Sequence, residues 1–335
     1  MKKILIIIAC CLFIIHPVKA QVDPHFTQYY MYPLFLNPGL TGVISEGDVR
    51  GTAIYRNQWS NITNPFSTVG VSGDMLFENN WGLGVNLMNQ TAGGGGYNNT
   101  DIHISAANNN VRFGKGGNQH LSLGLQLGIL TKRFDKTKLQ FGDQYDQTLG
   151  IYNPALTSNA FNSITNLSQT LLDVGAGVAY FDATPNKKTN FYGGFAMAHI
   201  NQPKDNFTSD GGQLPIRYTF HAGARIIMSP TVMLYPNFIY MLQGNAYEAV
   251  PGVHAEMKAN ETTSFLLGAN YRIQDAVNAF AGIYYKNYSF GLSYDINTSD
   301  LNSISKPVNS FELTISYIML KNTKIDTRYF KCPRF

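Results

Sequence analysis

Between Leu121 and Ile129 the chain alternates strictly. Leu121, Leu123, Leu125, Leu127 and Ile129 are separated by Ser122, Gly124, Gln126 and Gly128. A period of two predicts a strand with one apolar and one small or polar face. The pattern returns at Phe290, Leu292 and Tyr294, set between Ser289, Gly291, Ser293 and Asp295, and at Phe311, Leu313, Ile315 and Tyr317, set between Glu312, Thr314 and Ser316. A soluble sandwich would place Lys and Glu on the solvated face. Here that face carries mostly Gly, Ser, Asn and Gln, and the apolar face ends in aromatic residues. Such strands are expected where lipid lies outside and a wet lumen inside.

About fourteen segments fit this reading. They lie near 48–59, 66–77, 80–89, 99–111, 119–132, 171–182, 189–200, 216–228, 231–243, 247–258, 262–272, 277–286, 288–296 and 310–319. Most have the length that a tilted strand needs to cross a bilayer. The connections sort by side: short turns such as Glu78-Asn79-Asn80 and Ser229-Pro230 alternate with long stretches such as 134–170, 201–215 and 297–309. The connections near Gly244 and Gln274 are short although they fall on the long side. The expected fold class is therefore all-β: an outer-membrane antiparallel β-barrel with short periplasmic turns and longer extracellular loops. Unpaired edges are costly in lipid, so the first and last strands should pair. The expected organisation is a signal peptide at 1–20, a periplasmic N-terminal segment at 21–47, the barrel at 48–319 and a periplasmic tail at 320–335.

Composition agrees. Only 14% of the 335 residues are charged while 13% are aromatic, against about 25% charged in ordinary globular proteins. Lys2 and Lys3, the apolar run Ile4 to Ile15 and Val18-Lys19-Ala20 have the layout of a cleaved secretory signal. Without it, 22 basic residues face 21 acidic ones, which gives no reason to expect nucleic acid as a partner. Cys332 alone remains of the three cysteines, so neither an internal disulfide nor a Cys-based metal site is expected.

Catalytic chemistry is hard to place. His25, His103, His120, His199, His221 and His254 are scattered without metal-ligand spacing, and Gly93 to Gly96 lacks the following Lys and Ser/Thr of a phosphate loop. His199 and Asp143 are the best candidates for a hydrolytic pair, and no enzyme, cofactor or metal is expected. More telling are charges inside predicted strands: Arg56, Arg217, Arg272, Asp173, Asp295 and Glu312. An Arg facing lipid at mid-membrane costs about 2–4 kcal/mol, so these should face inward and pair. Phe181, Phe280 and Tyr284 at inward positions argue against a wide pore.

Ordered motifs then carry a resemblance. The mature start reads Gln21-Val22-Asp23-Pro24-His25-Phe26-Thr27-Gln28-Tyr29-Tyr30-Met31-Tyr32-Pro33-Leu34-Phe35-Leu36-Asn37-Pro38-Gly39. Further along come Tyr55-Arg56-Asn57-Gln58-Trp59, Phe141-Gly142-Asp143-Gln144-Tyr145, His199-Ile200-Asn201-Gln202-Pro203 and Leu214-Pro215-Ile216-Arg217-Tyr218. Tyr271-Arg272-Ile273-Gln274-Asp275-Ala276, Ser293-Tyr294-Asp295 and Cys332-Pro333-Arg334-Phe335 complete the set. In order and spacing the chain closely resembles the PorP/SprF family of type IX secretion system membrane proteins of Bacteroidetes. It departs only in the extra Val22 and in Gly39, where the family often has Ala.

The resemblance implies a non-enzymatic outer-membrane component of the type IX secretion and gliding machinery. Its implied partners are other secretion components or the C-terminal domain of a secreted adhesin, besides outer-membrane lipid. Contacts would fall on Asp143, Gln144, Tyr145, Gln202, Pro203 and Pro215 in the long loops. They would also fall on Phe26, Gln28, Tyr29, Pro33, Asn37 and Pro38, a segment too apolar for a free linker. That segment should pack into the periplasmic mouth, plug the barrel or bind a periplasmic component. Arg56, Arg217, Arg272, Asp295 and Glu312 are the expected lumen network. The alternative is a passive porin or hydrophobic-solute channel.

Overall fold

The protein is represented by a computed structural model that describes residues 23–44, 47–59, 65–135, 137–138, 141–160, 166–207, 212–298 and 309–319. The expected signal peptide and tail lie outside the described residues. Fourteen antiparallel strands close into one barrel. In chain order they are β1 (Val49–Gln58), β2 (Phe66–Leu76), β3 (Trp81–Ala92), β4 (Tyr97–Phe113), β5 (Gln119–Phe134), β6 (Ser168–Asp182) and β7 (Thr189–Ala198). The ring continues through β8 (Arg217–Ile227), β9 (Val232–Gln243), β10 (Ala246–Lys258), β11 (Thr263–Arg272), β12 (Ala276–Tyr285), β13 (Tyr288–Asn297) and β14 (Asn309–Met319). The seam pairs β1 with β14, from Val49↔Met319 to Gln58↔Ser310. No sheet edge is left to face lipid.

The alternation read from the sequence sets the two faces. In β5, Leu123, Leu125, Leu127 and Ile129 are exposed, while His120, Ser122 and Gly124 are buried. Exposed aromatics cluster near both rims: Phe77, Trp81, Phe113, Tyr285, Tyr288 and Tyr317 toward the short turns, and Tyr218, Tyr247, Tyr271 and Tyr294 toward the long loops. These are the two girdles expected at the lipid–water boundaries.

The lumen is filled by the chain itself. Residues 23–44 run through it from the long-loop rim to the short-turn rim, where the chain turns into β1. At the long-loop end the Asp23 N–H donates to Gln243 Oε1 (2.8 Å). Midway the Tyr29 hydroxyl donates to Asn237 (2.7 Å), and Tyr32 reaches Asn86. At the short-turn end the Gly42 N–H donates to Asp74 Oδ2 (2.8 Å), and Arg50 bonds both oxygens of Asp74 and the carbonyls of Leu40 and Val43. Of the placements expected for this segment, its contacts are those of a plug inside the barrel. Its apolar side chains explain why: Tyr29, Tyr30, Met31, Leu36 and Leu40 are buried in one cluster with the wall residues Phe181, Ile239, Phe280 and Tyr284, and Phe26 and Tyr32 in another with Ile54 and Met88.

Proline and asparagine shape the segment into short turns at Tyr29–Met31, Pro33–Leu36 and Pro38–Leu40. Pro33 and Pro38 each open a turn, where a missing N–H costs nothing. Asn37 closes one turn and caps the next by accepting the Gly39 N–H. The wall makes room by dispensing with side chains: a methyl group at Gly124 would collide with the Pro38 carbonyl, and one at Gly82 with that of Thr41. Gly124→Val is accordingly expected to unseat the segment. Limited proteolysis of the detergent-solubilised protein should then cut within residues 23–44, which stay intact in the parent.

Candidate functional site

Two polar clusters hold the outer half of the internal segment. In the first, Glu312 on β14 is fully buried and accepts two backbone N–H groups, from Thr27 (2.9 Å) and Gln28 (2.7 Å). The Thr27 hydroxyl donates to Asp295 on β13 (2.9 Å). Arg56 on β1 joins them, with Nη2 on Asp295 (2.8 Å) and Nη1 on Glu312 (3.3 Å) and on the Thr27 hydroxyl (3.0 Å). Arg272 on β11 completes the cluster through Asp295 (3.4 Å), Glu248 (3.2 Å) and Asp275 (3.0 Å). Charges buried in a wall survive only when paired and hydrogen-bonded, and these are.

The second cluster is a chain of hydrogen bonds at the long-loop rim. Arg217 Nη1 donates to Asp23 Oδ2 (2.8 Å), and the same oxygen meets His199 Nε2 (2.7 Å). His199 Nδ1 meets Asp173 Oδ1 (2.7 Å), and Asp173 Oδ2 meets His103 Nε2 (2.7 Å). Asp101 lines the same small cavity. Burial pushes the Asp23 carboxyl up, but His199 and Arg217 overcome it and leave it well below the usual carboxylate range. Burial would likewise lower His199, yet the carboxylates of Asp23 and Asp173 push it up to about 9. A histidine raised above its ordinary 6.5 stabilises fully below that pH and loses its contribution as pH rises through about 9. The thermal unfolding midpoint should therefore fall between about pH 7 and about pH 10. His199→Gln should flatten that dependence, as followed by circular dichroism.

The long connections carry the water-facing surface. Within 141–160, Gln144 is buried and braces the loop: its side chain donates to the Leu156 carbonyl (2.8 Å) and accepts the Phe141 N–H (3.1 Å). Asp143 is exposed, and its carboxylate accepts the Asn159 N–H (2.8 Å). Hydrogen bonds from Ser158 and from Asn159 hold that carboxyl below its ordinary value. A small hairpin pairs Tyr145 with Tyr152 and Asp146 with Ile151. It presents Tyr145, Leu149 and Ile151 outward, each more than half exposed. In the next long connection Pro203 is buried and accepts the Leu214 N–H (3.0 Å), while Gln202 and Pro215 are half-buried.

The structure thus gathers Arg56, Arg272, Asp295 and Glu312 into one cluster and places Arg217 in the other. Asp143, Tyr145, Gln202 and Pro215 keep surface on the long-loop side, whereas Gln144 and Pro203 turn inward. Phe26, Gln28, Tyr29, Pro33, Asn37 and Pro38 are all buried within the barrel. Gln28 bonds Ser293 and the Glu312 carbonyl, and Asn37 bonds the Val178 carbonyl and His221. His199 and Asp143 do not form a pair: one is bound between two carboxylates in the lumen, the other lies in a surface loop. Sequence reasoning passed over Asp23, His103 and His199 as members of one chain. The available signal was position: His103 and Asp173 fall on inward-facing places of the period-two pattern.

The family described as type IX secretion system membrane protein PorP/SprF matches residues 18–317. Among curated proteins none matches. Solved structures with similar coordinates include the Ralstonia pickettii toluene transporter TbuX, at 10% identity and a TM-score of 0.50, over 86% of this chain and 93% of the other. The CymD monoaromatic hydrocarbon channel aligns at 13% identity and 0.50, over 90% and 96%. The Pseudomonas putida toluene transporter TodX aligns at 8% and 0.50, over 88% and 94%. At these identities the likeness is one of fold: an outer-membrane barrel.

Proposed function

The chain belongs to the PorP/SprF family of type IX secretion system membrane proteins, and from that premise we propose that it is a non-enzymatic docking component. On this reading it supports export or surface anchoring of one partner protein, such as a large adhesin engaged through its C-terminal domain. The observation that carries the reading is the occupied lumen. The two cavities beside the outer end of the internal segment measure about 20 and 70 Å³, room for a few waters at most. With its interior committed to its own chain, the barrel has its rims and loops to offer. The hairpin bearing Tyr145, Leu149 and Ile151 supplies exposed apolar anchors of the kind that interfaces bury.

The hydrocarbon channels among the structural relatives favour a second reading, a solute channel, but that requires the internal segment to move aside. Changing Tyr145, Leu149 and Ile151 together to Ser tests the docking role. The protein should still insert as a folded barrel, while surface display of its dependent partner, followed by whole-cell immunolabelling, is lost. Undiminished display would refute docking through this hairpin.

A further inference from the structure

The route of residues 23–44 constrains how the molecule is made. They begin beside Gln243 and Arg217 at one rim and end beside Asp74 and Arg50 at the other, and the ring around them is continuous. The segment carries Tyr29, Tyr30, Tyr32 and Phe35, and wall glycines touch its backbone. A closed ring packed this tightly leaves no lane through which those aromatic side chains could later be drawn.

We propose that the N-terminal segment occupies the lumen before the barrel closes, and that Glu312 is the positioning residue that docks the final strand onto it. Glu312 stands on β14, the last strand, and its two carboxylate oxygens accept the Thr27 and Gln28 N–H groups. Arg56 stands opposite on β1, directly across the seam in register, and bonds both Glu312 and Thr27. The Gln28 side chain adds a bond to the Glu312 carbonyl. First strand, last strand and segment therefore meet at one point. Without the segment, Glu312 would lose both N–H donors and the seam its internal brace. Asp23 consequently reaches the long-loop side while the ring is still open.

Two disulfide reporters in the full chain, with Cys10, Cys11 and Cys332 all changed to Ser as background, test the order. Gly51→Cys with Tyr317→Cys reports the seam, since these residues face each other across it. Thr41→Cys with Ser105→Cys reports seating of the segment, since their hydroxyls lie 2.8 Å apart. During refolding from urea into detergent micelles, the Thr41–Ser105 link should form before the seam link or together with it. Glu312→Ala should slow the seam link by about tenfold or more, equivalent to about 1.4 kcal/mol in the barrier. The same change should leave the Thr41–Ser105 link at its original rate, and Glu312→Gln, which keeps an acceptor oxygen, should restore much of the seam rate. Seam closure with the Thr41 and Ser105 positions still reduced would overturn the proposal. So would an unchanged seam rate in Glu312→Ala. The order of events in the chain with native Glu312 is decisive even if the Ala variant fails to fold.

Discussion

Arg56→Ala will destabilise the folded barrel by about 3–5 kcal/mol, the usual effect of removing one member of a buried ion pair. Arg56 is the member of its cluster that touches both acids and the internal segment at once: Asp295 at 2.8 Å, Glu312 at 3.3 Å and the Thr27 hydroxyl at 3.0 Å. Its loss leaves Glu312, fully buried, without a cationic neighbour among its bonded partners, while Asp295 keeps Arg272. Glu312 would then keep only its hydrogen bonds to the segment. Arg56→Lys should fall between, since one ammonium cannot reach all three acceptors in the geometry of the guanidinium fork. Denaturant titration of the micelle-bound protein measures each effect. Arg56→Ala combined with Glu312→Gln should cost less than the sum of the single changes, because the two residues share one network.

The second large effect concerns permeation. In a planar bilayer the intact protein should show no steady ion current, because its lumen is packed with its own aromatic side chains and ion-paired clusters. Weakening the outer hold by changing Asp23 to Asn and Thr27 to Ala together should produce intermittent current steps. Those changes remove a carboxylate bound to both Arg217 and His199, and a hydroxyl shared by Asp295, Arg56 and Arg272. The inner half should stay seated, since Arg50, Asp74 and the wall glycines hold it independently. A large constant conductance from the unchanged protein would favour the channel reading.

Much of this architecture is legible in the chain. Alternation such as Leu121 to Ile129 separates lipid-facing from lumen-facing positions, because period-two geometry needs no tertiary information. The same reasoning turns Arg56, Arg272, Asp295 and Glu312 inward and leaves them to find each other, since a charge on the lipid face would be too costly. The fate of residues 23–44 was harder to read. Their aromatic and proline content marks them as packed, but composition does not say whether the surface they pack against is the lumen or another protein. The Asp23–His199–Asp173–His103 chain was also hidden. Its members come from the internal segment, a loop and two strands, and only barrel closure brings them within hydrogen-bond reach. The exposed hairpin around Tyr145 is opaque for a third reason: its two-residue strands are too short to leave a periodic signal.

The central claim is that the barrel is filled by its own N-terminal segment, entering at the long-loop mouth that faces outward from the cell. An epitope inserted between Gln21 and Val22 tests this directly. In intact cells an antibody should label it as strongly as an epitope placed in the 141–160 loop; labelling that appears only after the outer membrane is permeabilised would contradict the account.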